Sequence, residues 1–276
     1  MAATVSFEIP TPLGPRTVTV DYARVGRGEP LLLLHGIGHH RQAWDPVVDI
    51  LATERDVISV DLPGFGASPG LPDGLAYDLA TTTAVFRGFC EALELDRPHV
   101  AGNSLGGLLA LELGREKLVR SVTALSPAGF WSEAERRYAF TVLLAMRGIA
   151  LRMPLPMVER LSRSAAGRTA LTSTIYARPG RRSPEAVVAE TLALVNATGF
   201  TETLRAGGSV QFVDDVPGVP VTVAWGSKDR LLLRRQGVRA KRIIPKARLV
   251  RLPGCGHCPM NDDPALVARV ILDGSR

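Results

Sequence analysis

Two segments near the N-terminus alternate apolar and polar residues, whereas the segment after them is continuously apolar. Residues 4–9 and 17–22 alternate at every second position on either side of a proline-rich turn at 10–15. Alternation around a turn predicts an antiparallel pair of strands with one face in solvent. The run at 31–34 contains only leucine, and such a run is typical of a parallel strand that is covered on both faces.

Apolar runs and helical periodicity then alternate along the chain. The later predicted strands lie at 56–60, 98–101, 121–125, 219–225 and 247–252, and the predicted helices at 42–53, 75–93, 108–117 and 231–244. A last helix is predicted from Pro264, capped by Asp262 or Asp263. Strands that alternate with helices predict an α/β fold, in which a mostly parallel sheet carries helices on both faces.

The strand pattern stops between residues 127 and 208. Helical stretches near 132–152, 156–165 and 184–205 occupy this segment instead. Because it lies between two predicted core strands, we predict that 127–208 form a helical cap over the carboxyl edge of the sheet, where ligands of such folds bind. Residues 1–126 and 209–276 then form the core domain.

Most of the formal net charge of +6 lies in the predicted cap, which holds eleven arginines and six glutamates but no lysine or aspartate. This excess predicts either an ordinary solvated surface or the attraction of an anionic substrate or carrier. The charges are scattered, and no basic run is interleaved with aromatic residues. We therefore expect no nucleic-acid partner.

The length of the chain and its cysteine content indicate what kind of protein it is and where it is located. A chain of 276 residues, 46% of them hydrophobic, is long enough for one large domain with a substantial core. It shows no apolar run of 18 residues and no basic segment followed by an apolar one, so we expect no membrane insertion and no secretion. Cys90, Cys255 and Cys258 do not make a disulfide framework, which favours a cytoplasmic location. The oligomeric state stays open.

The stretch Gly102-Asn103-Ser104-Leu105-Gly106 follows a predicted strand and precedes a predicted helix. A serine on a sharp strand-to-helix turn presents its hydroxyl clear of the backbone, and glycines two residues away on each side let strand and helix approach closely. We predict that Ser104 is a nucleophile. The amide of Leu105 lies at the helix start, where N–H groups lack partners and can bind an oxyanion.

A serine nucleophile needs a base to take its proton and an acid to orient that base. His257 lies in a loop rich in glycine and proline after the last core strand, and we predict that it is the base. Asp229 follows the strand at 219–225 and is the predicted acid. The chain order serine, aspartate, histidine matches a hydrolase sheet with a nucleophile elbow. The weaker candidates are His35, His39, His40 and His99 as bases and Asp214 and Asp215 as acids. We expect His35 to order the oxyanion loop by hydrogen bonding instead.

The loop after the strand at 31–34 is predicted to supply the second oxyanion donor, the amide of Ile37. The loop at 61–66 either shapes the floor of the cleft or is an ordinary turn. Cys255-x-x-Cys258 has the spacing of a metal or redox pair, but no second ligand pair accompanies it. A structural zinc site takes four ligands, so we predict no metal.

The chain resembles the α/β-hydrolase fold superfamily over nearly its full length. The resemblance rests on His35-Gly36-Ile37-Gly38, Asp61-x-x-Gly64-x-Gly66-x-Ser68, Gly102-Asn103-Ser104-Leu105-Gly106-Gly107, Gly226-Ser227-Lys228-Asp229 and Gly256-His257-x-Pro259. It implies an eight-stranded sheet with a cap after the sixth strand, no cofactor, and hydrolysis through a serine-bound intermediate. We predict that His35, Gly36, Gly38 and Asn103 contact the substrate.

The predicted activity is hydrolysis of a small-molecule ester or thioester. Ser104 disfavours the members of the superfamily that use an aspartate nucleophile, such as haloalkane dehalogenases and epoxide hydrolases. The elbow is also similar to that of carbon–carbon bond hydrolases acting on ring-cleavage products, although Cys258 stands where those enzymes usually carry tryptophan. That activity stays open, as does a ligand-binding protein on a hydrolase scaffold, because function belongs to the site and not to the fold.

Overall fold

The computed structural model describes residues 2–11 and 14–276. Within them, eight strands form one sheet: β1 Ala2–Ile9, β2 Arg16–Gly26, β3 Glu29–Leu34, β4 Arg55–Val60, β5 His99–Asn103, β6 Ser121–Leu125, β7 Val221–Gly226 and β8 Arg248–Leu252. Their order across the sheet is β1-β2-β4-β3-β5-β6-β7-β8.

The pairing of the strands follows the two hydrophobic patterns. β1 pairs antiparallel with β2, and β2 pairs antiparallel with β4, whereas all other neighbours are parallel. The predicted mostly parallel, eight-stranded sheet is therefore confirmed. Residues 12 and 13 of the turn predicted at 10–15 lie outside the described residues.

Helices flank the sheet and fill the segment between β6 and β7. In the described part of the chain the α-helices are α1 Asp45–Leu51, α2 Leu79–Ala92, α3 Leu105–Arg115, α4 Glu133–Arg152, α5 Leu155–Ser162, α6 Ala165–Thr172, α7 Pro184–Asn196, α8 Phe200–Ala206, α9 Arg235–Ile243, α10 Pro259–Asp262 and α11 Pro264–Gly274. A short 3₁₀ turn, Arg41–Trp44, precedes α1 and takes the first part of the helix predicted at 42–53.

Two predicted helices have different limits, because a capping side chain starts one of them and a contact with a distant loop divides the other. The helix predicted from residue 75 begins at Leu79, since the Asp78 side chain accepts the N–H of Thr81 at 2.8 Å and caps it there. The helix predicted at 184–205 is divided into α7 and α8. The chain between them passes close to a core loop, where the Gly199 N–H donates to Gly64 O at 3.0 Å.

The leucine run of β3 explains why the sheet needs helices on both faces. Leu32 and Leu34 pack into the core on the side of α2 and α3, and Leu31 and Leu33 pack into the core on the side of α1 and α11. All four side chains are buried. Burial of a leucine side chain contributes about 2 kcal/mol, so the continuous apolar run stabilises a strand at the centre of the molecule.

The segment after β6 is helical from α4 to α8, and β7 resumes the sheet. This order agrees with an insertion after the sixth strand, although its division from the core at 127 and 208 remains a prediction. Among the described residues, no single helix has the length and apolar character needed to cross a membrane. α4 and α5 meet these criteria of length and apolar character only when they are counted as one segment, and they are bent by 107° where they meet.

Candidate active site

The turn between β5 and α3 holds Ser104 in a strained conformation. Its φ is 57° and its ψ is −114°, a region that residues with a side chain rarely adopt. A Cβ on Gly102 would lie 2.0 Å from Gly106 O, and a Cβ on Gly106 would lie 2.1 Å from Leu34 O. Strand and helix therefore approach so closely that only glycine fits at both positions.

Neighbouring backbone groups fix the position of Ser104. Its N–H donates to Leu125 O at 3.0 Å, and its C=O accepts the N–H of Ala128 at 3.0 Å. Leu105 is the first residue of α3, and the first N–H groups of a helix have no intrahelical acceptor. Ile37, in the loop after β3, borders the same cavity as Ser104. Both predicted oxyanion donors thus belong to residues around the predicted nucleophile.

His257 and Asp229 are buried and in direct contact. Asp229 Oδ2 lies 2.9 Å from His257 Nδ1, and Asp229 Oδ1 accepts the N–H groups of Leu231 and Leu232 at 2.9 and 2.8 Å. Because an ionised carboxylate only accepts hydrogen bonds, Nδ1 carries the imidazole proton and Nε2 keeps a free lone pair. The hydrogen bonds from these two N–H groups also keep residues 231 and 232 out of the predicted helix. That helix begins at Arg235.

The backbone around His257 is tied to β5 and to the inserted helices. Asn103 Nδ2 donates to His257 O at 2.9 Å and to Leu125 O at 3.1 Å. Ile175 O accepts the N–H groups of His257 and Cys258 at 2.8 and 3.0 Å. Asn103 borders the cavity, but its side-chain NH₂ group donates both protons to backbone oxygens of the protein. It positions the histidine loop beside the elbow.

Asp262 joins the same loop to the insertion. Its buried carboxylate accepts the N–H groups of Gly256 at 2.7 Å, Ala177 at 3.0 Å and Arg178 at 2.7 Å. The sequence analysis offered Asp262 only as an alternative cap for α11, and Asp263 is that cap. The partners of Asp262 in the insertion lie more than eighty positions away along the chain, so no local pattern predicts them.

Two adjoining cavities meet at Ser104. The first is bordered by His39, Thr172, Glu190 and His257, and we call it the polar cavity. The second is the apolar cavity. Its other lining residues include Leu108, Trp131, Ala139, Phe140, Leu204 and Val210. Residues that border both cavities are Ile37, Ser104, Leu143 and Leu231.

Four buried polar side chains form a cluster, and two of them, His39 and Glu190, border the polar cavity. Glu190 on α7 is 8% exposed, and its Oε1 accepts the Tyr176 hydroxyl at 2.7 Å and pairs with the Arg182 guanidinium. His39 Nε2 lies 3.3 Å from the Tyr176 hydroxyl and 3.7 Å from Glu190 Oε1. We call His39, Tyr176, Arg182 and Glu190 the Glu190 cluster. Three of its four members come from the insertion.

Comparison with known proteins identifies the family. A model of the alpha/beta hydrolase family matches residues 31–270. The chain belongs to this family. The protein is therefore a hydrolase by fold and family, and the resemblance seen in the sequence motifs is confirmed.

Similar proteins differ in what they are described to do. An uncharacterized protein of Mycobacterium tuberculosis is 30% identical over 265 residues, covering 89% of this hydrolase and 75% of that protein. The 2-hydroxy-6-oxo-2,4-heptadienoate hydrolase of Pseudomonas putida is 41% identical over 90 residues, 32% of each chain. The solved structure of a thermophilic esterase from Thermogutta terrifontis has a TM-score of 0.77 at 20% identity and covers 98% of this chain and 97% of that one. These similarities leave the substrate open.

One residue predicted to contact substrate has a different position in this hydrolase. His35 is fully buried, and it is absent from the described lining of the polar cavity. Its Nδ1 donates to Gly36 O at 2.7 Å, and its Nε2 accepts the N–H of Leu62 at 3.0 Å. The predicted substrate contact is therefore corrected: His35 orders the loop that carries Ile37. Gly36 and Gly38 border the polar cavity, and their contact with substrate stays a prediction.

The cysteine pair and His99 have structural partners. Cys258 Sγ donates to Asn103 Oδ1 at 3.3 Å, whereas Cys255 Sγ contacts Pro253 O at 3.7 Å. Burial raises the pKa of the Cys255 thiol to about 12. The two thiols thus have separate partners, although their spacing in the sequence is that of a pair. His99 is paired inside the sheet with Ser121 Oγ at 2.7 Å.

The sequence analysis missed the Glu190 cluster, although one signal was present. Val187, Glu190, Thr191 and Leu194 have the spacing of a single helix face, and the first two are buried. A carboxylate on an otherwise apolar face costs free energy unless it has partners. It therefore marks a buried polar contact, but the sequence alone does not name the partners.

Stability is expected to fall when the pH is lowered, because histidines near the site are buried in the neutral form. Burial lowers the pKa of His40 from 6.5 to about 4, and it also lowers those of His35 and His39. Between these two pKa values the unfolded chain binds more protons than the native protein. The contribution of the buried neutral histidines to stability is therefore fully present above pH 6.5 and is lost as the pH falls toward 4.

From His40 alone, the free energy of unfolding should decrease by about 2 kcal/mol between about pH 7 and about pH 5. Urea denaturation followed by circular dichroism measures this change. The variant His40→Gln should lose its share of the pH dependence while the remaining slope persists. A flat profile for the wild-type protein would contradict the burial of neutral histidines.

Proposed function

We propose that the protein is a serine hydrolase that cleaves a small-molecule ester or thioester through an acyl-serine intermediate. One observation carries this proposal: Ser104, in its strained turn, borders the same cavity as His257, whose Nδ1 is bonded to Asp229. The three side chains follow β5, β8 and β7, so the carboxyl edge of one sheet supplies the nucleophile, the base and the acid.

The reaction begins when His257 Nε2 takes the proton of the Ser104 hydroxyl. The oxygen attacks the acyl carbonyl, and Asp229 stabilises the imidazolium that results. His257 then gives its proton to the departing alcohol or thiol. A water molecule, deprotonated in the same way, releases the acid and restores Ser104. The tautomer required in the first step is the one that the Asp229 contact imposes.

The backbone amides of Ile37 and Leu105 are the proposed donors to the oxyanion. The strained turn at Ser104 and the start of α3 orient the second amide, and the hydrogen bonds of His35 hold the loop that carries the first. Donors that are held in place before the reaction need no reorganisation when charge develops. Loss of one such donor typically costs about 3–4 kcal/mol of transition-state stabilisation.

The two cavities support a substrate with unlike ends. The apolar cavity can accept a hydrocarbon arm, and the inserted helices close both cavities through Leu143 on α4. We propose that residues 127–208 act as a cap in this sense. No lysine or arginine is among the described residues that border the polar cavity. Attraction of an anionic substrate by the arginine-rich cap would therefore act at its outer surface.

A second candidate is hydrolysis of a carbon–carbon bond in a ring-cleavage product. It is favoured by the 41% identity over 90 residues to a heptadienoate hydrolase. The same serine, histidine and aspartate would serve that reaction. Ring-cleavage dienoates absorb in the ultraviolet or visible range, so loss of absorbance on incubation with the protein supports this activity, and a stable spectrum dismisses it.

A fluorophosphonate probe should label the wild-type protein covalently, because the activated Ser104 oxygen displaces fluoride from phosphorus. Mass spectrometry of the digested protein should place the adduct on Ser104, and Ser104→Ala should remain folded and unlabelled. The matched control is Ser126→Ala, which removes a buried serine hydroxyl without a described partner after the neighbouring strand β6. This variant should still be labelled. Labelling of Ser104→Ala would refute the proposed nucleophile.

Repeated turnover separates an enzyme from a ligand-binding protein on the same scaffold. The wild-type protein should hydrolyse many equivalents of a p-nitrophenyl ester, and a panel of esters and thioesters of graded length should define the preferred acyl group. Release of a single equivalent without further turnover would favour the ligand-binding alternative.

A further inference from the structure

Large exposed apolar side chains are concentrated where α4 meets α5. The described residues include twelve large hydrophobic side chains that are exposed to solvent, and five of the twelve lie between residues 144 and 157. The five are Leu144, Ile149, Leu151, Leu155 and Met157, each 40–60% exposed, and we call them the apolar corner. Singly scattered apolar residues are normal on a protein surface, but a cluster of this kind marks a contact with a partner.

The second half of α4 is apolar on its inner and its outer face. Leu143 and Met146 border the polar cavity, whereas Leu144 and Ile149 are 54% and 60% exposed. A helix that is hydrophobic all round normally lies in a protein core or in a membrane. The described part of the chain covers only the inner face of α4, so the outer face lacks the apolar environment that its sequence suits.

Cationic side chains accompany the apolar corner. Between residues 136 and 184 the chain has ten arginines and one carboxylate, Glu159. Arg152, at the end of α4, and Arg160 and Arg163, on and directly after α5, are exposed. None of these three arginines forms an ion pair with another described residue. The apolar corner is therefore flanked by positive charge that the protein itself does not balance.

We propose that the apolar corner is a docking surface for an anionic lipid membrane. Its five side chains enter the boundary between the head groups and the acyl chains, and the nearby arginines bind lipid phosphates. A guanidinium suits this position because it binds phosphate through two parallel hydrogen bonds while its apolar stem lies along hydrocarbon. The contact is peripheral and needs no membrane-spanning helix, so it agrees with the prediction of no membrane insertion. It goes beyond the proposed hydrolysis and does not depend on it.

A second copy of this chain suits the apolar corner less well. In a twofold symmetric dimer the same surface of both copies comes into contact. Arg152, Arg160 and Arg163 would then approach their counterparts, and this part of each copy contributes only one carboxylate, Glu159. Like charges that face each other disfavour association, whereas the phosphates of anionic lipids attract all three arginines. The charge therefore favours a membrane over self-association.

Co-sedimentation with lipid vesicles tests the proposal on the wild-type protein. One set of vesicles contains phosphatidylcholine alone, and the other contains phosphatidylcholine and phosphatidylglycerol in equal amounts. Three arginines that each contribute about fivefold predict at least about tenfold tighter binding to the anionic vesicles, and higher salt should weaken this binding. Equal affinity for the two sets, or no binding to either, would overturn the proposal.

The substitution Ile149→Ser tests the apolar part of the contact. It removes most of the hydrocarbon from a side chain that is 60% exposed, and affinity for the anionic vesicles should fall about tenfold. The matched control is Val238→Ser, a similar change at a 49% exposed position of α9, outside the insertion. This control should bind as the wild-type protein does, and circular dichroism should show both variants folded. Equal affinities of the two variants would contradict docking at the apolar corner.

The substitution Arg160→Gln tests whether the charge acts locally. Affinity for the anionic vesicles should fall about fivefold, while the weak binding to neutral vesicles stays the same. Arg269→Gln removes the same charge from an exposed position on α11 and should leave both affinities unchanged. General attraction by the net charge of +6 would instead weaken both variants equally, and that result would reject the proposed surface.

Sedimentation velocity without vesicles separates docking from self-association. We expect a monomer, or a dimer that Ile149→Ser leaves intact. A concentration-dependent dimer that Ile149→Ser abolishes would assign the apolar corner to a second copy instead of a membrane. No ester is hydrolysed in any of these measurements, so membrane docking and the proposed function can fail separately.

Discussion

The substitution Asp229→Asn is expected to lower kcat for ester hydrolysis by about ten-thousandfold while the protein stays folded. The Asp229 Oδ1 atom accepts the N–H groups of Leu231 and Leu232 at 2.9 and 2.8 Å. These two donors will hold the oxygen of the asparagine in the same place. Its NH₂ group must then face His257 Nδ1.

An NH₂ group facing Nδ1 reverses the tautomer of the base. Nδ1 becomes an acceptor, the imidazole proton moves to Nε2, and Nε2 can no longer take the proton of Ser104. Steady-state kinetics with a p-nitrophenyl ester measure the loss. The control Asp214→Asn changes an exposed aspartate that precedes β7 and should keep wild-type kcat. An Asp229→Asn variant with more than a tenth of the wild-type rate would remove Asp229 from the proposed mechanism.

The second large effect concerns the fold itself: Gly106→Ala should destabilise the protein by at least about 4 kcal/mol. Alanine in place of glycine normally stabilises a helix by about 0.5–1 kcal/mol, and Gly106 lies in the first turn of α3. Here, however, the new Cβ would lie 2.1 Å from Leu34 O and 2.6 Å from His35 O. Backbone atoms of a central strand cannot move aside as a flexible side chain can.

A glycine in another helix provides a control of opposite sign. Gly148 lies within α4, and a Cβ added there would meet only the mobile end of Arg152, at 3.2 Å. The variant Gly148→Ala should therefore be as stable as the wild-type protein or slightly more stable. Thermal or urea unfolding of both variants makes the comparison. A Gly106→Ala variant of wild-type stability would mean that strand and helix are not in the contact described.

Much of the fold follows from local patterns, because the two periods of hydrophobic residues report directly on burial. The leucines at 31–34 predict a strand covered on both faces, and Gly102, Ser104 and Gly106 predict a strand-to-helix turn. The predictions fail where a distant side chain or backbone decides. The helix predicted at 231–244 begins only at Arg235, because the N–H groups of Leu231 and Leu232 donate to Asp229. The helix predicted at 184–205 is interrupted because the N–H of Gly199 donates to Gly64 O in another loop.

In the candidate site, too, some residues could be predicted from local patterns and others could not. Ser104, Asp229 and His257 were predicted because each follows a predicted strand, and parallel strands end at one edge of the sheet, so topology alone places them at that edge. Glu190 and Asp262 were missed, because their partners lie in other parts of the chain and no rule of spacing connects them. His35 was expected both to order the loop of Ile37 and to contact substrate, and its fully buried side chain with its hydrogen bonds to Gly36 and Leu62 fits the first role only.

The hydrogen bonds between residues 175–178 and the loop of His257 couple the position of the insertion to the position of the histidine. Ile175 O holds the amides of His257 and Cys258, and Asp262 holds those of Ala177 and Arg178. An outward movement of this part of the insertion would displace His257 from Asp229, so an opening at this point would leave the proposed triad incomplete. If the triad is to stay intact, substrate must enter where the inserted helices make no hydrogen bonds to the loop of His257.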